Sequence, residues 1–138
     1  MDFLDRVVAE IDEHGRAVIP AFIAGSLLEA LKSDVRLLAR SGEMRPAAIG
    51  GGANRQVHSH IRADEIFWWD PADASPARRE CLDRFERLRL ALNLHLQLGL
   101  WEFECHYSKY SPGAFYRRHL DQIAGETSRR SEEHTSEL

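Results

Sequence analysis

The sequence lacks the long apolar runs and the targeting signal that would place a chain in or across a membrane. No apolar stretch approaches the roughly 18 residues that span a bilayer as a helix. The opening residues, MDFLDRVVAEIDEH, are acidic and interrupted rather than basic and then apolar, so they do not form a secretory signal. These absences predict a protein with no membrane partner.

Cysteine is scarce, and no block of basic residues occurs. The two cysteines, Cys81 and Cys105, lack a CxxC spacing, which together with the missing signal favours a reducing compartment. The formal net charge is −4 and the lysines and arginines are dispersed, so the positive surface that a phosphate backbone requires is missing. We therefore predict a cytoplasmic location and no nucleic-acid partner.

The remaining composition is sufficient for one packed domain. The chain has 138 residues, of which 43% are hydrophobic and 29% are charged. This length is too short for two domains with separate cores, and the composition is not that of a disordered chain. Nothing in it indicates an oligomeric state.

The last nine residues, RSEEHTSEL at 130–138, match one frame of a widely used short-read sequencing adapter. We interpret them as an assembly artefact rather than as a natural polar tail. Removing Ser131 to Leu138 takes away three acidic residues, which changes the net charge from −4 to −1. On this interpretation residues 1–129 are the N-terminal part of a single domain whose C-terminal part is expected to be missing.

Apolar periodicity and capping residues predict helices in three places. Ser26 is placed to cap one helix, and the pair Ser75-Pro76 is typical of the start of another. Leucine occupies every second position from Leu88 to Leu100, which fits a half-buried strand as well as a helix, and helix propensity decides for the helix. The predicted ranges are Phe3 to about Gly15, Ser26 to about Arg40, and Pro76 to about Gln97.

Strands are predicted from alternation and from β-branched or aromatic residues. The turn Ser111-Pro112-Gly113 is expected to join the last two strands into a hairpin. Arg62 and Asp64 share a strand face, where a structural ion pair is favoured over a substrate contact. The glycines at 50–52 indicate a flexible loop, since no Lys-Ser/Thr follows to make a phosphate loop. The predicted strands are Arg16–Ile19, Met44–Ile49, Ile61–Asp70, Trp101–Tyr110 and Ala114–Gln122.

The last predicted strand carries the residues best suited to chemistry. Because side chains alternate along a strand, His119 and Asp121 would point to the same side and could converge on one metal ion. An imidazole and a carboxylate at this spacing are two of the three ligands of the 2-His-1-carboxylate triad that binds Fe(II). A structural charged pair at the end of a strand would have the same His-x-Asp spacing, but the surrounding aromatic residues favour the metal site.

The segment YSPGAFYRRHLD at 110–121 resembles the pattern Y-x-P-G-x-x-Y-x-x-H-x-D of a known enzyme family. This is the prolyl 4-hydroxylase-like branch of the Fe(II)- and 2-oxoglutarate-dependent dioxygenases, which includes bacterial relatives of the hypoxia-factor prolyl hydroxylases. The resemblance extends to IRAD at 61–64 with Trp69, to the region of Leu92 and Asn93, and to the opening from Gly15 to Ile23. It implies an α+β fold with N-terminal helices packed on an incomplete double-stranded β-helix (jelly-roll) core.

The same resemblance assigns residues to the site. It implies that His119 and Asp121 are iron ligands, that Tyr110 lines the pocket for the metal and 2-oxoglutarate, and that Tyr116 supports that pocket. A second histidine and an Arg or Lys for the distal carboxylate of 2-oxoglutarate should follow, and neither is present. His134 lies in the adapter-like tail, and we reject it as the missing ligand. The resemblance also implies that ascorbate keeps the iron reduced.

The function implied for the parent protein is hydroxylation of a protein or peptide side chain, with proline as the leading candidate. In this family 2-oxoglutarate is oxidatively decarboxylated to succinate and CO₂ as the substrate is hydroxylated. The 138-residue chain itself is expected to show little turnover and weak iron binding, because it lacks the third ligand. Two alternatives stay open: a non-catalytic jelly-roll domain used for binding or as a scaffold, and a different metal enzyme on a similar barrel.

Overall fold

The computed structural model describes residues 2–47 and 61–119. The chain forms two compact units, and the division falls within the second helix. The helical unit contains the described residues of Met1–Arg36 and Asp70–Trp101, and the sheet unit contains those of Leu37–Trp69 and Glu102–Leu138. In chain order the elements are α1 (Phe3–His14), α2 (Gly25–Arg40), β1 (Arg45–Pro46), β2 (Glu65–Trp68), a 3₁₀ turn (Pro71–Asp73), α3 (Pro76–Leu96) and β3 (His106–Lys109).

Helix α1 has both of the ends that its sequence predicts. The carboxylate of Asp2 accepts a hydrogen bond from the Leu4 N–H, which satisfies one donor of the first turn. Gly15 ends the helix in the left-handed region, at φ 72°, and its N–H donates to the Ile11 carbonyl. The predicted range is confirmed. The buried apolar side chains of the helical unit are Val7, Leu27, Cys81, Leu82 and Leu92.

Helix α3 resolves the ambiguity of its alternating leucines. Ser75 caps the helix by accepting from the Arg78 N–H, and the helix continues to Leu96, as propensity predicted. Leu92 is buried, whereas Leu90 and Leu94 are exposed, so only one helical face of the leucine run is buried. Of the remaining leucines in the run, Leu88, Leu96 and Leu100 are half-buried and Leu98 is exposed.

Polar contacts hold α3 to the rest of the helical unit. The Arg78 Nε lies 2.9 Å from the Asp34 carboxylate on α2, and both side chains are largely buried. Beyond the end of α3, the Asn93 amide donates to the Leu100 carbonyl at 2.6 Å and accepts from the Leu100 N–H at 2.7 Å. Asn93 is therefore a satisfied structural group, and His95 on the same helix is exposed.

The sheet unit is a three-stranded antiparallel sheet in the order β1-β2-β3. Arg45 pairs with Ile66, and the β2-β3 register runs from Glu65 opposite Lys109 to Trp68 opposite His106. The strands are shorter than predicted, and residues 16–19 form none, so the strand expected there is wrong. Val18 is exposed. Its β-branched side chain has no sheet to pack on, which removes what favours β-branched residues in strands.

The predicted hairpin around Ser111-Pro112-Gly113 is also wrong, although the turn itself is present. Ala114 donates its N–H to the Ser111 carbonyl at 2.8 Å. The segment after the turn does not pair with β3, since the bridge of Tyr116 is to Arg62. A strand was predicted at 114–122, of which the structure describes residues 114–119. In these residues the bridge of Tyr116 takes the place of the predicted strand.

Both β3 and the segment after the turn form backbone hydrogen bonds with the same edge of residues 61–69, which include β2. Trp69 donates its N–H to the Cys105 carbonyl at 2.9 Å, and Ala63 donates to the Phe115 carbonyl at 2.8 Å. Residues 63 and 69 are an even number apart, so their N–H groups face one edge of a strand. Residues 110–114 are thus an excursion between two segments that follow one another along that edge, which brings Tyr110 and Tyr116 to one place.

The α+β class is confirmed, since the described residues form both helices and a small antiparallel sheet. The described residues include three strands, and the closed jelly-roll core stays a prediction. The glycine loop at 50–52 and residues 120–138, among them Asp121 and His134, lie outside the described residues. Across the described part of the chain, no helix combines the length and the hydropathy needed to cross a bilayer.

Candidate functional site

A buried ion pair is the base of the candidate site. The Arg62 Nε lies 2.6 Å from one Asp64 carboxylate oxygen, and Nη2 lies 2.9 Å from the other. The Asp64 side chain is fully buried and that of Arg62 is 9% exposed. Burial lowers the pKa of Arg62, but the hydrogen bonds and the charge of Asp64 outweigh it, so the pKa lies above its ordinary value. The predicted ion pair is confirmed.

Two predicted site residues stack on this pair. The Arg62 guanidinium carbon lies 4.0 Å from the centroid of the Tyr116 ring. On Tyr116 lies the His119 imidazole, with ring centroids 3.7 Å apart and planes inclined by 5°. We call these three side chains the Arg62 stack. The cation and the ring face attract one another, so the buried ion pair and the two rings form one connected group.

The edge of the His119 ring is held by the backbone. Its Nδ1 lies 2.8 Å from the Arg117 carbonyl oxygen. A carbonyl only accepts, so Nδ1 carries the proton in this contact, and in the neutral imidazole the lone pair is then on Nε2. A metal-binding histidine commonly has this arrangement, in which the other ring N–H is fixed by a backbone carbonyl. The chemistry of His119 therefore fits a metal ligand.

The rest of the predicted ligand set is not described by the structure. No group of three or more His, Cys, Asp or Glu side chains that could hold a metal ion occurs within residues 2–47 and 61–119. Asp121 lies beyond these residues, as does His134. His119 itself follows the Tyr116 bridge in an irregular segment rather than in the predicted strand. That His119 and Asp121 bind iron stays a prediction.

Tyr110 reaches the same ion pair from the start of the excursion. Its phenol lies within electrostatic reach of Asp64, Arg62 and Tyr116. Partial burial raises the pKa of Tyr110, the negative charge of Asp64 raises it further, and Arg62 opposes the change. Tyr110, which was predicted to line the pocket, and Tyr116, which was predicted to support it, are thus brought together around Arg62 and Asp64. Sequence reasoning recognised the ion pair but not that the tyrosines gather on it.

The raised pKa of Tyr110 predicts a loss of stability in alkali. The folded chain holds the phenol proton more tightly than the unfolded chain, whose tyrosines titrate near pH 10. The resulting contribution to the free energy of unfolding is complete below about pH 10 and is lost as the pH rises through the raised pKa of Tyr110. We expect the melting temperature of the wild type to fall more steeply than that of Tyr110→Phe between about pH 9 and about pH 11. Parallel dependence of the two melting temperatures on pH would contradict the raised pKa of Tyr110.

The helical unit contains a separate cavity. Its volume is about 420 Å³, and it lies beside the N-terminus of α1. None of the predicted site residues is part of its wall. The lining residues are Asp2, Phe3, Leu4, Ala21, Phe22, Arg84 and Arg87.

Comparison with known proteins agrees with the motif and the fold. The crystal structure of a Pseudomonas putida prolyl-4-hydroxylase is 41% identical in sequence and superposes with a TM-score of 0.77. The match covers 88% of this chain and 62% of that one. The chain is a relative of a bacterial prolyl-4-hydroxylase. This relationship confirms the resemblance recognised from the segment at 110–121. No family model and no curated protein matches the chain.

The prolyl-4-hydroxylase relationship has a limited extent. The chain spans about three fifths of the length of the Pseudomonas putida protein, and nearly all of the present chain takes part in the match. Both units therefore contribute to the similarity, and the segment with Tyr110, Tyr116 and His119 belongs to a fold that a prolyl-4-hydroxylase also uses.

Proposed function

We propose that the complete protein is an Fe(II)- and 2-oxoglutarate-dependent dioxygenase that hydroxylates a protein or peptide side chain, with proline as the target. The observation that carries the proposal is the state of His119. Its Nδ1–H is engaged by the Arg117 carbonyl, so Nε2 is the donor atom that a metal would use. The 41% identity to a prolyl-4-hydroxylase supports the same assignment.

Each residue of the proposed site has a distinct role. His119 and Asp121 would hold the iron, and Tyr110 would line the pocket for 2-oxoglutarate. When bound, the iron and 2-oxoglutarate would supply an oxidation by O₂, in which one oxygen atom enters succinate as CO₂ is released and the other enters the substrate. Tyr116 covers one face of the imidazole, and the pairing of Arg62 with Asp64 keeps an uncompensated charge away from it.

The proposal extends to the parts that the structure does not describe. Residues 1–129 would be the N-terminal part of one oxygenase domain, residues 130–138 would be adapter-derived, and further strands would complete a jelly-roll core. These further strands would contain the second histidine and the residue that binds the distal carboxylate of 2-oxoglutarate. A cytoplasmic location and the use of ascorbate as a reductant belong to the same proposal.

The test is an assay of the uninterrupted gene product, recovered from the source DNA. The protein is incubated with Fe(II), 2-oxoglutarate and ascorbate, with and without a pool of proline-containing peptides. We expect succinate that depends on iron and a peptide product heavier by one oxygen atom. If succinate does not exceed the iron-free control, the dioxygenase proposal is wrong. If succinate forms but no proline in the pool gains oxygen, the proposed target is wrong.

A further inference from the structure

We propose that Arg62 is a positioning residue that sets the orientation of the His119 imidazole at the predicted metal site. This inference rests on the proposed function in one respect, which is that His119 binds the metal. The geometry that carries it is independent of that assumption. Arg62 touches neither the metal nor the substrate in this proposal and acts through Tyr116.

The first step is that the Arg62 guanidinium has a fixed plane. Two hydrogen bonds, of 2.6 and 2.9 Å, join it to the two oxygens of Asp64. A two-bond contact of this kind sets the direction of the guanidinium as well as its distance. Since the Asp64 side chain is fully buried, the carboxylate cannot turn toward water instead. Arg62 therefore offers a flat, immobile cation to its neighbours.

The second step is that Tyr116 is fixed on this plane by its backbone and by its ring. Its backbone forms the bridge with Arg62, flanked by the hydrogen bonds from Ala63 to Phe115 and from Arg117 to Ile61. Its ring lies 4.0 Å from the guanidinium carbon. An arginine is better suited to this contact than a lysine, because only the guanidinium is planar and can stack.

The third step is that the imidazole is restrained at its face and at its edge. The Tyr116 ring covers the face at 3.7 Å, and the Arg117 carbonyl holds Nδ1 at 2.8 Å. Both contacts restrain the direction in which Nε2 points. If the face contact is lost, the edge contact still permits rotation about the Nδ1–oxygen direction. The residues that orient metal ligands typically change metal affinity by tenfold to a hundredfold when they are replaced.

A first measurement follows the stack directly, without any metal. Ring protons of an imidazole above a tyrosine face are shifted upfield in the proton NMR spectrum by the ring current. We expect upfield His119 signals in the 138-residue chain, assigned by their loss in His119→Ala. In Arg62→Gln they should move to ordinary positions, and in Arg62→Lys they should move part of the way.

A matched control separates this effect from the loss of a buried ion pair. Arg78 pairs with Asp34 in the helical unit and is about as buried as Arg62. Arg78→Gln should destabilise the chain without moving the His119 signals. Because Arg62→Gln leaves Asp64 buried and unpaired, the double variant Arg62→Gln/Asp64→Asn is measured as well, since it removes both charges and leaves no buried ion.

The second measurement is the affinity for Mn(II), determined by titration of the 138-residue chain and the same variants. We expect Arg62→Gln and the double variant to bind Mn(II) about tenfold or more weakly than the wild type, and Arg78→Gln to bind it equally well. If the His119 signals or the Mn(II) affinity of the Arg62 variants equal those of the wild type, Arg62 is not a positioning residue.

The comparison with His119→Ala distinguishes this failure from that of the proposed function. If the wild type and His119→Ala bind Mn(II) with equal affinity, His119 is not a metal ligand, and the positioning role of Arg62 is overturned as well. A loss in His119→Ala without a loss in the Arg62 variants would overturn the positioning role alone.

Discussion

Replacing Asp64 by alanine is expected to lower the free energy of unfolding by about 3–5 kcal/mol, which is a large part of the stability of a small domain. The substitution removes the only carboxylate within hydrogen-bonding distance of Arg62 in the described contacts and leaves a buried guanidinium behind. Urea unfolding followed by tryptophan fluorescence measures the change, since Trp68 and Trp69 lie in the same sheet unit.

The neighbouring residue Glu65 provides the control for Asp64. Its carboxylate lies 3.9 Å from the Lys109 ammonium, and both side chains are nearly half exposed. Glu65→Ala should cost less than about 1 kcal/mol, because water screens a surface pair. The double variant Arg62→Met/Asp64→Leu should recover most of the loss, since it leaves no buried ion. Equal losses in Asp64→Ala and Glu65→Ala would show that burial does not set the strength of the Arg62 pair.

Helices α1 and α3 could be predicted because their signals are local, whereas Ser26 does not cap α2, which already begins at Gly25. Asp2 and Gly15 bound α1, and Ser75 followed by Pro76 starts α3, each through contacts within one turn of the helix. The alternating leucines of α3 were ambiguous by pattern alone. Propensity decided correctly, because leucine, alanine and arginine favour a helix when the exposed face tolerates Leu90 and Leu94.

The sheet could not be predicted in the same way, since alternation identifies a strand but not its partner. The pattern from Trp101 to Tyr110, followed by a Ser-Pro-Gly turn, fits a hairpin and an excursion equally well. Only the pairing of Glu65 with Lys109 and of Arg62 with Tyr116 shows that both segments use one edge. Register of this kind depends on contacts between residues that are about 50 positions apart.

The sequence predicted which residues belong to the site but not how they are arranged. The motif at 110–121 identified Tyr110, Tyr116 and His119, and the alternation of IRAD identified the pairing of Arg62 with Asp64. Nothing local in the sequence places Tyr116 between Arg62 and His119, because that arrangement follows from the bridge between distant segments. The Arg62 stack thus became visible only when the fold was known.

These contacts link stability and chemistry through the same few side chains. Asp64 accepts from Arg62, and Arg62 faces Tyr116, which covers His119. A substitution at the buried end is therefore expected to affect both folding and metal binding. A substitution at the imidazole should affect metal binding alone, since His119 lies at the outer end of the stack.

His119→Ala provides that second case, and we expect it to abolish 2-oxoglutarate turnover in the complete protein. Replacing residues that orient metal ligands lowers metal affinity by up to about 100-fold. Removing the ligand itself should lower the Mn(II) affinity by more than this. The free energy of unfolding should change by less than about 1 kcal/mol, because the imidazole is not buried. Succinate release, Mn(II) titration and urea unfolding measure the three quantities.

His95 on α3 is the matched control for His119, since it is an exposed histidine of the helical unit and no part of the proposed site. His95→Ala should retain both turnover and Mn(II) affinity. If His119→Ala instead retains succinate release at the wild-type rate, the imidazole on the Arg62 stack is not an iron ligand, and its contact with Arg117 is then a purely structural hydrogen bond. If both variants lose activity equally, the loss does not arise from coordination.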